Sequence, residues 1–117
     1  MLPKKNRVRK VFFPEIMKNG LFFHGESLYL RLLLKKDLEL PLFSFVVPNK
    51  VKKTAVGRHL IKRKISAVVE KNLLNIKPGF FCVIFSKKDI SHLSCTQIEV
   101  ETMFLLRKAK MLKEEAF

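Results

Sequence analysis

The chain contains no tryptophan, one tyrosine, four glycines, two cysteines and only ten acidic residues among 117. Low glycine and proline, with 48% hydrophobic residues, exclude a disordered basic tail and fit one domain around one core. Cys82 and Cys95 have no C-x-x-C spacing, and His24, His59 and His92 are scattered, so the ligand arithmetic for zinc fails. No run of about 18 uncharged apolar residues exists, which excludes a membrane-spanning helix. The basic start, Met1 to Arg7, leads into no apolar segment of signal-peptide length, so a reducing cytoplasm is the expected compartment. Asp37 and Glu39 form the only close acid pair before residue 99. They fall in an expected loop without partners for two-metal chemistry, so neither catalytic residues nor metal ligands are assigned.

What the chain has instead is positive charge. Lys and Arg number 24, the formal net charge is +14 and the isoelectric point is near 10.1. The charge is uneven: residues 1–64 hold 16 basic and 4 acidic side chains (+12), residues 65–117 hold 8 and 6 (+2). Between Lys50 and Lys64 lie Lys50, Lys52, Lys53, Arg58, Lys62, Arg63 and Lys64, with His59 and no acid. Solvated helices usually interleave glutamate with such cations to gain pairs one turn apart. An acid-free face is better suited to phosphates, with an anionic membrane surface as the second option.

Periodicity places the elements. Residues 1–10 form a basic arm containing Lys4, Lys5 and Arg7. Phe12, Phe13, Ile16 and Met17 suit a short helix ending at Gly20. Phe22-Phe23 begins a strand, residues 24–27 turn, and Leu28–Leu34 is β-compatible. In 42–47 the residues Phe43, Phe45 and Val47 share one face and Ser44 and Val46 the other. From Lys53 to about Leu74 the period becomes helical, with Ile61, Ile65 and Val68 on one side. Ala55, His59, Lys62 and Ser66 share the opposite side, beside Lys52 and Arg63. Pro78-Gly79 breaks the chain, Phe80–Phe85 reads as a strand buried on both faces, and a last helix carries Ile98, Met103, Leu105, Leu106 and Met111. The expectation is an α+β domain, with a small sheet packed by two longer helices and a βαβ crossover over 42–85.

The segment from Phe43 to Arg63, FSFVVPNKVKKTAVGRHLIKR, resembles the protein component of bacterial ribonuclease P, in which a strand and a Lys-Lys pair precede an Arg-Asn-Arg-x-Lys-Arg run that opens the long helix. Lys50 matches the second lysine of the pair, and Arg58, Lys62 and Arg63 match basic positions of the run. Leu2-Pro3-Lys4-Lys5-Asn6-Arg7 is similar to the family's basic arm, and Phe13, Ile16 and Gly20 to its first helix. The likeness covers nearly the whole chain in order. It departs at Asn49, His59, Leu60 and Ser66, where the family has Lys, Asn, Arg and Arg.

The resemblance implies an αβββαβα fold over residues 1–117 with a left-handed crossover. It implies an accessory subunit of an endoribonuclease, binding the catalytic RNA and the 5′ leader of precursor tRNA; no obligate protein partner is inferred. Magnesium in the holoenzyme would be held mainly by RNA. Lys50, Lys52, Lys53, Arg58, His59, Lys62 and Arg63 become candidate contacts to catalytic RNA, with Lys4, Lys5 and Arg7 of the arm. Phe13, Met17, Tyr29 and Arg31 become candidates for the leader cleft, although spacing alone assigns Phe13 and Met17 to the core. His59 lacks a carboxylate to orient it, so hydrogen bonding to RNA is the better reading than general-base chemistry. The composition alone leaves open a ribosomal or ribosome-associated structural RNA-binding protein, and less readily a protein-only nuclease.

Overall fold

Side-chain alternation and two helical periods sort the chain into seven main elements. The computed structural model, which describes residues 2–113, shows α1 (Phe13–Asn19), β1 (Leu21–His24), β2 (Leu28–Leu34), β3 (Leu42–Val46), α2 (Ala55–Lys71), β4 (Phe80–Ser86) and α3 (Cys95–Lys108). Short 3₁₀ turns occupy Lys4–Asn6, Lys10–Phe12 and Leu73–Asn75. The four strands form one mixed sheet in the order β1-β2-β4-β3. β1, β2 and β4 pair antiparallel, whereas β3 and β4 are parallel, so α2 is the crossover between them.

The element ends have local causes. Thr54 caps α2 by accepting from the Gly57 amide, so the helix starts two residues later than its apolar period suggested. Ser94 and Gln97 form a reciprocal capping box on α3. At Gly20 an added Cβ would lie 2.4 Å from the Ile16 carbonyl oxygen, which already accepts from the Gly20 amide. Only a residue without a side chain lets the strand leave α1 so abruptly.

α3 ends in a two-bond cap: the Met111 amide donates to Leu106 O and the Lys110 amide to Arg107 O. Lys110 occupies the left-handed region at φ 59, a position that favours glycine. Lys110→Gly is therefore expected to stabilise the fold by about 0.5–1 kcal/mol, read as a higher urea midpoint at unchanged slope.

The sheet has two unequal faces. Leu28, Leu30, Leu32, Phe80, Cys82, Ile84, Phe43 and Val47 meet Ile61, Ile65, Val68 and Val69 of α2 and Ile98, Leu105 and Leu106 of α3 in the main core. On the other face Ile16, Phe81, Val83 and Phe85 form a smaller core, with Phe12 and Phe13 packed against it. β4 is central and buried at every position, as its unbroken apolar run requires. Full burial also pushes the Cys82 thiol strongly up, away from the reactive thiolate.

One position on the basic side of α2 is covered rather than solvated. Ser66 lines the same cleft as Lys62, one turn away, but is 0% exposed, and its hydroxyl accepts from the Leu2 amide at 3.0 Å. The arm lies along the open edge of β3, covering that flank of the helix. Leu2, Asn6 and Val8 are buried, the Val8 amide donates to Phe43 O, and Asn6 Nδ2 donates to Pro41 O. An edge strand with unpaired backbone groups is the natural place for such a segment to dock.

Candidate nucleic-acid interface

The smaller face is only partly roofed. α1 covers its middle, where Phe12 stacks on Phe81 at 4.7 Å and Ile16 is fully buried. Register then sets what remains beside the helix. His24 pairs with Tyr29, Tyr29 with Phe85 and Phe85 with Val46, so these four form one row across the sheet. The next row contains Phe22, Arg31, Val83 and Ser44.

Phe13, Met17, Tyr29 and Arg31 thus share one face of the sheet. Met17 is 39% exposed and Phe13 half-buried, so only Phe13 serves the core. Arg31 Nη1 donates to Met17 O at 2.9 Å, joining the end of α1 to β2. Its guanidinium carbon lies 4.6 Å from the centre of the Phe22 ring, while Nε is buried without a hydrogen-bond partner.

Parallel pairing brings the cations to the same end of the sheet. β3 and β4 both finish there, and the chain continues into 47–54 after one and 87–94 after the other. Lys50 and Lys53 are exposed beyond β3, and Lys87 and Lys88 beyond β4. The two segments meet where Lys52 Nζ contacts Asp89 at 2.9 Å. Hydrogen bonds from the Ser91 hydroxyl and amide, reinforced by Lys52, hold the Asp89 carboxyl well below the ordinary carboxylate range. Lys64 Nζ donates to the Ser91 and Leu93 carbonyls. Lys52 and Lys64 therefore brace the loop in this conformation, and a phosphate would have to compete for them.

The basic helix face is otherwise open. His59 and Arg63 are exposed, while Arg58 Nη1 donates to the carbonyls of Lys52 and Lys53 and so holds the entry to α2. Lys62 lies further along, lining a cleft of about 190 Å³ with Leu2, Arg7, Val8, Phe43, Ser44, Phe45 and Ser66. Arg7 of the arm and Lys62 of the helix thus line one cleft, and Lys4, Lys5 and Arg7 are all exposed. Arg7 itself is steadied by donating Nε to Leu2 O.

Phe22, His24, Phe85 and Lys87 belong to this surface and were not singled out from the sequence. The alternation Phe22-x-His24 carried part of the signal. The rest required the hairpin register, and a continuous apolar run hides the parity of Phe85. No group of three or more His, Cys, Asp or Glu among the described residues is placed to hold a metal ion. No helix among them is long and apolar enough to cross a membrane.

The chain and its fold have counterparts among known proteins. The chain is 31% identical over 116 residues to the ribonuclease P protein component of Rippkaea orientalis, covering 95% of this chain and 91% of the relative. It is 33% identical over 84 residues to that of Synechocystis, covering 71% and 68%. The fold superposes on the RNase P protein of Staphylococcus aureus with TM-score 0.81 at 19% identity, covering 92% of this chain and 98% of that one. For the protein from Thermotoga maritima the TM-score is 0.79 at 21% identity, covering 87% and 96%. A family model for ribonuclease P matches residues 2–110, and with it the chain belongs to the ribonuclease P protein family, as the protein subunit of an endoribonuclease of tRNA processing.

Proposed function

We propose that this subunit binds the catalytic RNA through α2 and the arm, and the single-stranded 5′ leader of precursor tRNA in the cleft beside α1. The observation that carries the reading is the shared end of the sheet, where an aromatic row that grows more exposed from Phe85 to His24 lies at the same end as Lys50, Lys53 and Lys87. Aromatic edges and faces accept any base, which suits leaders of varying sequence, and flanking cations follow the backbone. Lys50, Lys53, Arg58, His59, Lys62 and Arg63 are assigned to the catalytic RNA, joined by Lys4, Lys5 and Arg7. Lys52 joins them on release from Asp89. Phe13, Met17, Tyr29 and Arg31 are assigned to the leader.

Among the described residues no group of three His, Cys, Asp or Glu is placed to hold a metal ion. Magnesium in the assembled enzyme is assigned to the RNA on the family resemblance, and the protein's part is to bind and orient. Its place of work is the cytoplasm, where precursor tRNA is processed.

Reconstitution tests this directly. Mixing the protein with its ribonuclease P RNA and precursor tRNA at low magnesium is expected to accelerate release of the 5′ leader. Absence of any stimulation would sink the proposal, and cleavage without the RNA would make the chain a nuclease in its own right.

A further inference from the structure

The rings at the outer end of the sheet form a ladder. Phe85 and Tyr29 stack at 4.5 Å and 7°, and Tyr29 and Phe22 at 4.9 Å and 21°. His24 closes the outer end as a three-ring cluster, 4.2 Å and 51° from Phe22 and 5.8 Å and 39° from Tyr29. Burial falls along the series: Phe85 is 7% exposed, Tyr29 intermediate, Phe22 37% exposed, and His24 exposed.

The ladder therefore starts in the small core and ends on β1, the edge strand, with aromatic surface left to solvent. Core packing accounts for Phe85 and half of Tyr29, but not for the exposed surface of the Phe22–His24 pair, in which the Phe22 ring is held by Tyr29 and by the Arg31 guanidinium. Cations flank this end. Lys87 Nζ donates to Gly25 O in the hairpin turn, and Lys88 reaches Glu26 at 3.8 Å. Partial desolvation, with the charges of Lys87 and Lys108, holds the His24 imidazole below its ordinary value, so at neutral pH it is an uncharged ring with one donor and one acceptor.

The geometry points to a second nucleobase site here: an unpaired base of the single strand lying in the cleft stacks on the exposed Phe22–His24 end, while Lys87 meets the adjoining phosphate. The inference rests on the leader reading and extends it from the cleft beside Phe13 and Met17 to the edge strand. A single strand is the occupant that fits, because exposed aromatic surface at Phe22 and His24, with a cation at the same end of the sheet, is what a stacked nucleotide needs. A duplex would keep its bases paired and leave the ring face unused.

The test is an abasic scan of the leader. The holoenzyme, made from this protein and its ribonuclease P RNA, is titrated with precursor tRNAs lacking one leader base at a time. Wild type is expected to lose about tenfold in affinity at two separate positions, one for each site. Phe13→Ala removes the penalty at the first position. Phe22→Leu with His24→Ala, which keeps an apolar side chain on Tyr29, removes it only at the second. His24→Ala alone, at an exposed side chain, reduces that second penalty with the fold intact. If the ladder variants keep the wild-type profile while Phe13→Ala loses its own position, the second site is overturned and the cleft stands. A flat profile in wild type overturns both.

Discussion

Lys62→Ala with Arg63→Ala is expected to weaken binding to ribonuclease P RNA by about ten- to twentyfold near physiological salt. The expectation follows from counterion release: each lost phosphate contact removes about 0.7–0.9 from the slope of log affinity against log salt. Two contacts should therefore flatten that slope by about 1.4–1.8. The two positions are not equivalent. Arg63 is exposed, whereas Lys62 lines the cleft under the arm and packs its stem near Leu2 and Phe45. Lys62→Gln is the useful control, because it removes the charge while keeping much of the stem. If it reproduces the Lys62→Ala share of the slope, the effect is electrostatic. An unchanged slope in the double variant would show that this helix face is turned away from RNA.

Phe43→Ala is expected to cost about 3–5 kcal/mol, the largest single effect on stability considered for this chain. Phe43 is 1% exposed in the main core, and its carbonyl accepts from Val8 of the docked arm. Truncation leaves a cavity exactly where α2, β3 and the arm converge, and relaxation there would pull Leu2 away from Ser66. A domain of this size has only about 5–15 kcal/mol in total, so the variant should show a sharply lowered urea midpoint. Met17→Ala, at an exposed position, should stay within about 0.5 kcal/mol of wild type. A comparable loss at both sites would contradict the core assignment.

The contrast between Phe43 and Met17 shows what pattern alone conveyed. Alternation placed Phe43, Phe45 and Val47 on one face of β3, and they do face the main core. The 3.6-residue period likewise placed Ile61, Ile65 and Val68 on the buried side of α2. Periodicity treated Phe13 and Met17 alike, yet Phe13 packs on the smaller core while the Met17 side chain stays 39% exposed. Ser66 is a similar case. Its hydroxyl looks suited to a solvated face, but a distant segment, 64 residues away, covers it and uses it as an acceptor.

The sequence by itself determined the order of elements, the faces of the regular ones and the basic character of α2, because each depends on spacing within a few turns of chain. Its ordered motifs also pointed to the family. Only the tertiary structure decided how those faces are shared. The parallel β3–β4 pair brings Lys87 to the same end as Lys50 and Lys53, although it is far from them along the chain. Asp89 engages Lys52, and the hairpin register sets Phe22 and His24 beside Tyr29. These are contacts between residues with no fixed separation in sequence, so local periodicity carries no information about them, and packing and register supply it.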